Sequence, residues 1–166
     1  MRTLLFVGAG RHQRGAILQA RERGLRVVAV DRNADAPGLR LADVPQVVDV
    51  ADVAAVEEVA RRHRVDGLVT VSADRAVPVG ATVAERLGLA SIGSAVAHRM
   101  THKVAMRRCL AEEGVPQPAF AAVRDLASGR AALETVALPA VLKPADSGGQ
   151  RAVFRVESPG DLESHL

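Results

Sequence analysis

Residues 3–10 read TLLFVGAG, an uncharged run from Thr3 to Val7 closed by Gly8-Ala9-Gly10. A short continuous apolar run that ends in glycines has the pattern of a strand covered on both faces, as in a parallel sheet. Residues 14–23 follow with Ile17 and Leu18 at helical spacing, and Gly24 stops them. Arg26 to Val30 is a second buried strand ending at Asp31, and Asn33 to Gly38, NADAPG, is turn chemistry. Gln46 to Val48 gives a short third strand, and Asp52 is suited to cap a helix over Val53 to His63. Gly67 to Val71 gives the fourth strand. A helix follows from Asp74 to Leu87, its start delayed by Pro78 and its end set by Gly88. Ala90 to Ile92 reads as a fifth strand. Strands alternating with helices across short connections predict an α/β unit over residues 1–93, a Rossmann-like doubly wound parallel sheet with right-handed crossovers. Ligands of such sheets lie beyond the carboxyl ends of the strands. Those ends carry Gly8-Ala9-Gly10, Asp31 and Ser72 to Arg75.

After Gly93 the pattern changes to an α+β one. Ser94 to Met100 reads as a short helix. Thr101 is placed to cap the next, Lys103 to Glu113, which Gly114 closes. Val115-Pro116-Gln117-Pro118 is a stiff extended link, and Ala119 to Val123 reads as a strand. Asp125 caps a helix to about Thr135. Pro139 to Lys143 and Ala152 to Val156 read as paired strands around Asp146-Ser147-Gly148-Gly149. Ser158-Pro159 opens a final helix, serine at the cap and proline at the first position. These features give a second, incomplete α+β unit over 94–166.

Composition narrows the function. Hydrophobic residues make up 48% of the 166-residue chain and charged ones 25%, ample for a buried core. Aromatics are 2%, with no Trp or Tyr, which argues against a stacking platform for single-stranded nucleic acid. The net charge of +3 is scattered rather than clustered, so a nucleic-acid partner is not expected. Cys109 is the only cysteine, which excludes an internal disulfide and suits a reducing cytoplasm; its place on the apolar side of a helix reads as a small core filler. No apolar run approaches a membrane span.

Of the 22 Lys and Arg residues only Lys103 and Lys143 are lysines. In a chain that otherwise uses arginine, a lysine marks a place where a compact ammonium is wanted rather than a guanidinium fork. Lys143 ends an apolar strand, an unusual place for a solvated surface lysine. The polar Gly pair after it can present backbone N–H groups to an anion. A plain hairpin turn would account for the same glycines. Gly8, Gly10 and Gly15 with Asp31 suggest a dinucleotide site, although the spacing is GxGxxxxG rather than GxGxxG. The five histidines show no metal-ligand spacing, and neither a GxSxG turn nor a Walker A loop occurs.

Taken together, HRMTHKVAMRRCLAEEGVPQPAF (98–120) and LPAVLKPADSGGQRAVF (138–154) resemble the start of the ATP-grasp superfamily. GAGRHQRGAI, VVAVDRNADAPGLRLAD and VDGLVTVSADRAV resemble the domain that precedes it in biotin carboxylase, carbamoyl phosphate synthetase and purine-biosynthetic carboxylate ligases. The resemblance implies a pre-ATP-grasp domain over 1–93 and the first lobe of an ATP-grasp domain over 94–166. It implies ATP-dependent ligation of a small carboxylate to an amine through an acyl phosphate. Lys103 and Lys143 match the lysines that contact ATP phosphates, and Ser147, Gly148 and Gly149 match the loop that closes over them. Arg11, Arg14 and Asp74 are the candidate substrate contacts. Two positions depart from the pattern: His102 where Asp is frequent, and Ala152 where Gly is. The resemblance places the adenine-contacting hinge and the Mg²⁺ ligands beyond residue 166, so these residues alone are expected not to catalyse ligation. A homodimer is among the assemblies it allows. The rival reading is an NAD(P)-binding module of an oxidoreductase built on Gly8, Gly10, Gly15 and Asp31; a non-catalytic assembly domain is the third.

Overall fold

The computed structural model describes residues 1–166. The chain divides into two compact units, Met1–His98 and Arg99–Leu166.

In the first unit the elements run β1 (Thr3–Val7), α1 (Arg14–Glu22), β2 (Arg26–Asp31), a 3-10 turn (Leu39–Leu41), β3 (Val44–Val47), α2 (Val53–Arg62), β4 (Gly67–Val69) and α3 (Ala76–Arg86). The four strands form one parallel sheet in the order β3-β2-β1-β4. Alternation along each strand sends side chains to opposite faces. Leu5, Val7, Val28 and Val30 join Val56, Val59, Val79 and Val83 of α2 and α3 on one face. Phe6, Val27 and Ala29 join Ile17 and Ala20 of α1 on the other. Helices on both faces make the sheet doubly wound, as expected from the continuous apolar runs.

Carboxylates close the sheet where the ladder stops. Asp66 accepts from Thr3 N at 2.7 Å and Asp43 accepts from Val27 N at 2.8 Å, pairing donors at the amino ends of β1 and β2. Asp52 caps α2, accepting from Ala55 N at 3.0 Å. Pro78 lies in the first turn of α3, where a missing N–H leaves no helical bond unmade.

At the other end of α2, His63 Nε2 is buried without a hydrogen-bond partner. Burial first, then the nearby Arg26 and Arg62 charges, lower its pKa from the ordinary value of 6.5. The folded state therefore takes up the imidazole proton at lower pH than the unfolded chain, which does so near pH 6.5. The first unit should lose stability as pH falls below that value, and the loss should level off below the lowered folded pKa. Thermal unfolding at pH 7.5 and 5.5 checks this. His63→Leu should flatten that segment of the curve, and an unchanged slope would clear His63 of the effect.

The second unit carries α5 (Lys103–Glu112), α6 (Leu126–Ala132), β5 (Ala140–Leu142), β6 (Phe154–Val156) and α7 (Pro159–His165); α4 (Ser94–Thr101) runs across the division. β5 and β6 are antiparallel, with Ala140 opposite Val156 and Leu142 opposite Phe154. Val156 and Leu162 are buried, and Phe154 stacks on His165 with ring centroids 4.0 Å apart. Asp125 and Ser158 each form a reciprocal capping box, and Pro159 takes the first turn of α7.

Several boundaries differ from the sequence reading. Ala90–Ile92 and Ala119–Val123 are not strands, because neither finds a ladder partner; Ile92 is exposed. The cap of α5 is His102 rather than Thr101, with Nδ1 accepting from Ala105 N at 3.2 Å. An imidazole nitrogen thus fills the role of the usual carboxylate. Cys109 is half-buried on a helix that buries none of its residues fully, so it fills no core.

Candidate functional site

The sheet order reverses between β1 and β4, and the loops after these strands meet at that edge. The glycine turn after β1 is held from several sides. Gly8 N donates to Val30 O at 2.9 Å, Ala9 N to an Asp31 carboxylate oxygen at 2.9 Å, and Gly38 N to Ala9 O at 2.7 Å. Gln13, 6% exposed, lies beneath the turn and donates its side-chain amide to Val71 O, just past β4. The next residue, Ser72, has a left-handed φ of 50°. Sequence reasoning missed Gln13, since a polar residue between Arg11-His12 and Arg14 looks solvated.

The candidate substrate residues surround this tie. Arg11, Arg14 and Asp74 are all exposed, and Arg11 Nε donates to His12 Nε2 at 3.2 Å. Asp31 is not available in the same way. One oxygen accepts from Ala9 N and the other from Asn33 N at 2.9 Å. Gly15 lies in the first turn of α1 with nothing within 4 Å of a Cβ built on it, so no close approach requires a glycine there. Two residues of the dinucleotide reading thus have either another engagement or no reason to be what they are.

In the second unit, Lys103 and Ser147, both chosen from the sequence, come into contact. Lys103 begins α5 and is half-buried. Its backbone N–H, one of the donors a helix start leaves free, reaches Ala145 O at 2.7 Å. Its ammonium donates to Ser147 O, 44 residues on. Carbonyls two residues apart across a bend thus face the same helix end. Lys143 stands just past β5, exposed, with no hydrogen bond or ion pair. Gly149 has φ 72°, and a Cβ there would meet nothing within 4 Å; Gln150 and Ala152 also take left-handed φ, 60° and 49°. The connection between β5 and β6 spans residues 143–153, far longer than the two-residue turns commonest in hairpins.

Both lysines line a cavity of about 810 Å³ in this unit, with Val104, Ala140, Leu142 and Phe154 among its apolar walls. Ser147, Gly148 and Gly149 are not among the residues that line it; the two lysines on an apolar cavity suit a polyanion attached to an apolar body. No three His, Cys, Asp or Glu side chains converge to hold a metal ion. No helix is long and apolar enough to cross a membrane.

Comparison with known proteins adds the family context. Residues 17–91 match the family model described as the ATP-grasp N-terminal domain. Over 164 residues the chain is 32% identical to a formate-dependent phosphoribosylglycinamide formyltransferase of Nitratidesulfovibrio vulgaris, covering 97% of this chain and 41% of that one. It is similar in structure to an L-amino acid ligase from Bacillus licheniformis, with TM-score 0.76 and 25% identity over 99% of this chain and 41% of that one. N5-carboxyaminoimidazole ribonucleotide synthetase from Thermotoga maritima shares the fold, with TM-score 0.79 and 20% identity over 99% and 43%. The chain spans about two-fifths of the length of the curated relatives it matches.

Proposed function

Since the chain belongs to the ATP-grasp superfamily, we propose that it serves an ATP-dependent carboxylate–amine ligase, in which its second unit holds the ATP phosphates and its first contributes substrate contacts. ATP supplies the phosphoryl group that turns a carboxylate into an acyl phosphate, from which an amine displaces phosphate. The observation that carries the reading is the convergence of Lys103 and the Ala145–Ser147 segment, with Lys143 on the same cavity.

In this reading Lys103 and Lys143 neutralise phosphate oxygens, and Ser147, Gly148 and Gly149 offer backbone N–H groups to them. Phosphoryl transfer needs mainly such positioning and charge neutralisation. The residues present suit the phosphates but supply no cluster for Mg²⁺, so no role for the metal is assigned to them. Arg11 and Arg14 suit an anionic substrate group, and Asp74 an amine. The named activities of the relatives, formyl transfer to phosphoribosylglycinamide and ligation of amino acids, favour small carboxylates and amines as substrate classes. A soluble cytoplasmic setting and a homodimer belong to the same proposal.

Thermal-shift titration tests the reading. ATP should raise the unfolding temperature, because a ligand at 100 times its Kd stabilises the folded state by about 2.7 kcal/mol. NAD should do so far less. Stabilisation by NAD alone would overturn the proposal in favour of the dinucleotide module.

A further inference from the structure

We propose that Arg107 is a third cationic contact for a polyphosphate in the cavity of the second unit, and that Gln117 is its positioning residue. The inference deepens the phosphate reading of Lys103 and Lys143 and rests on it for the class of ligand.

Arg107 lies four residues after Lys103, one turn along the same face of α5. Both line the cavity, as does Lys143, and no Asp or Glu side chain does. Arg107 is half-buried and takes part in none of the ion pairs of the chain. Its side-chain partner is neutral: Nη1 donates to Gln117 Oε1 at 3.2 Å. A guanidinium carries five N–H donors in a planar fork, so most of them stay open. Three cations on walls without a carboxylate suit an anion of more than one charge. The fork itself matches a pair of phosphate oxygens.

The hold on Arg107 is specific. Gln117 grips the residue at both ends: Oε1 accepts from the guanidinium, and Nε2 donates to the Arg107 backbone carbonyl at 2.7 Å. Gln117 stands between Pro116 and Pro118. The first ring stiffens the link before it, and the second narrows the backbone of Gln117 itself. The link also starts from a fixed point, since Val115 N donates to Leu110 O at 2.8 Å past the end of α5. A stiff link thus aims one amide back along the helix. Ordering a long arginine side chain costs rotamer entropy. No carboxylate offsets that cost here. A fork already ordered when an anion arrives loses less freedom on binding it.

Arginine-directed dicarbonyl modification, mapped by peptide mass spectrometry, reads the contact without a variant. Inorganic tripolyphosphate should slow modification of Arg107 at least several-fold and leave Arg108, exposed on the same helix, unchanged. Calorimetric titration gives the second measure. Arg107→Met, which keeps the apolar stem, should weaken tripolyphosphate binding roughly ten- to hundredfold. Gln117→Ala should weaken it several-fold in the wild-type background and not at all beside Arg107→Met, a non-additivity that a purely structural glutamine would not produce. Equal losses in both backgrounds overturn the positioning role. Arg107 modified at the same rate with and without tripolyphosphate, or an Arg107→Met affinity within twofold of wild type, overturns the contact. Titration with ATP separates this result from the nucleotide reading. Where ATP and tripolyphosphate bind Arg107→Met as they bind wild type, the nucleotide reading stands and Arg107 falls. Protection of Arg107 by tripolyphosphate without any binding of ATP keeps the contact and overturns the nucleotide reading. Binding of neither ligand overturns both.

Discussion

Replacing Lys143 with alanine is expected to weaken ATP binding by roughly ten- to hundredfold, the range set by losing a charged hydrogen bond of about 1.5–3 kcal/mol. The fold should not change. Lys143 is exposed and makes no hydrogen bond or ion pair, so its removal leaves no group unpaired. The effect should therefore fall on binding, with the unfolding temperature of the free protein unchanged. Lys143→Arg should restore part of it, since the charge stays but the planar fork replaces a compact ammonium. Calorimetric titration with ATP decides the matter. Affinity within twofold of wild type for Lys143→Ala would remove this lysine from the site.

The second large effect is expected in the first unit. Gly38→Ala should destabilise the first unit by about 1–3 kcal/mol, the cost of overpacking a closed interior. Its backbone is ordinary, φ −75° and ψ −26°, and would accept alanine. The obstacle is space: a Cβ would lie 2.5 Å from Ala9 O and 2.9 Å from Ile17 Cδ1. The first of these is backbone, tied to Gly38 N by a 2.7 Å hydrogen bond, and cannot swing aside. At roughly 4–8 °C per kcal/mol for a domain of this size, the loss is readily seen in thermal unfolding. An unfolding temperature within a degree of wild type would show that the turn gives way. Gly38 belongs to NADAPG, which the sequence marks as a turn; the need for glycine comes from the neighbouring strand end, which local pattern does not display.

The same division between local and distant causes explains what was legible. Runs such as Leu4 to Val7 and Val27 to Val30 declared themselves because helices cover both faces, leaving no polar alternation to confuse. Asp52, Asp125 and Ser158 were readable as caps because their action spans only three residues. Ala90–Ile92 and Ala119–Val123 were misread because apolar residues make a strand only when an edge accepts them. His102 escaped because imidazole is outside the usual capping set. At the candidate site the two lysines were visible through their rarity, and Ser147–Gly149 through its glycines. The bond from Lys103 to Ser147 O and the tie from Gln13 to Val71 O cross 44 and 58 residues, beyond any local pattern.

The buried Gln13 tie has a mechanical consequence for the first unit. An unbridged pair of loops would fluctuate independently, each on its own strand. Here one amide acts as a strut between them, and the glycine turn is also pinned to β2 by Asp31 and to the β2–β3 connection by Gly38. The lip that carries Arg11 and Arg14 and the lip that carries Asp74 therefore share their displacements. A push on one is delivered to the other as a common tilt.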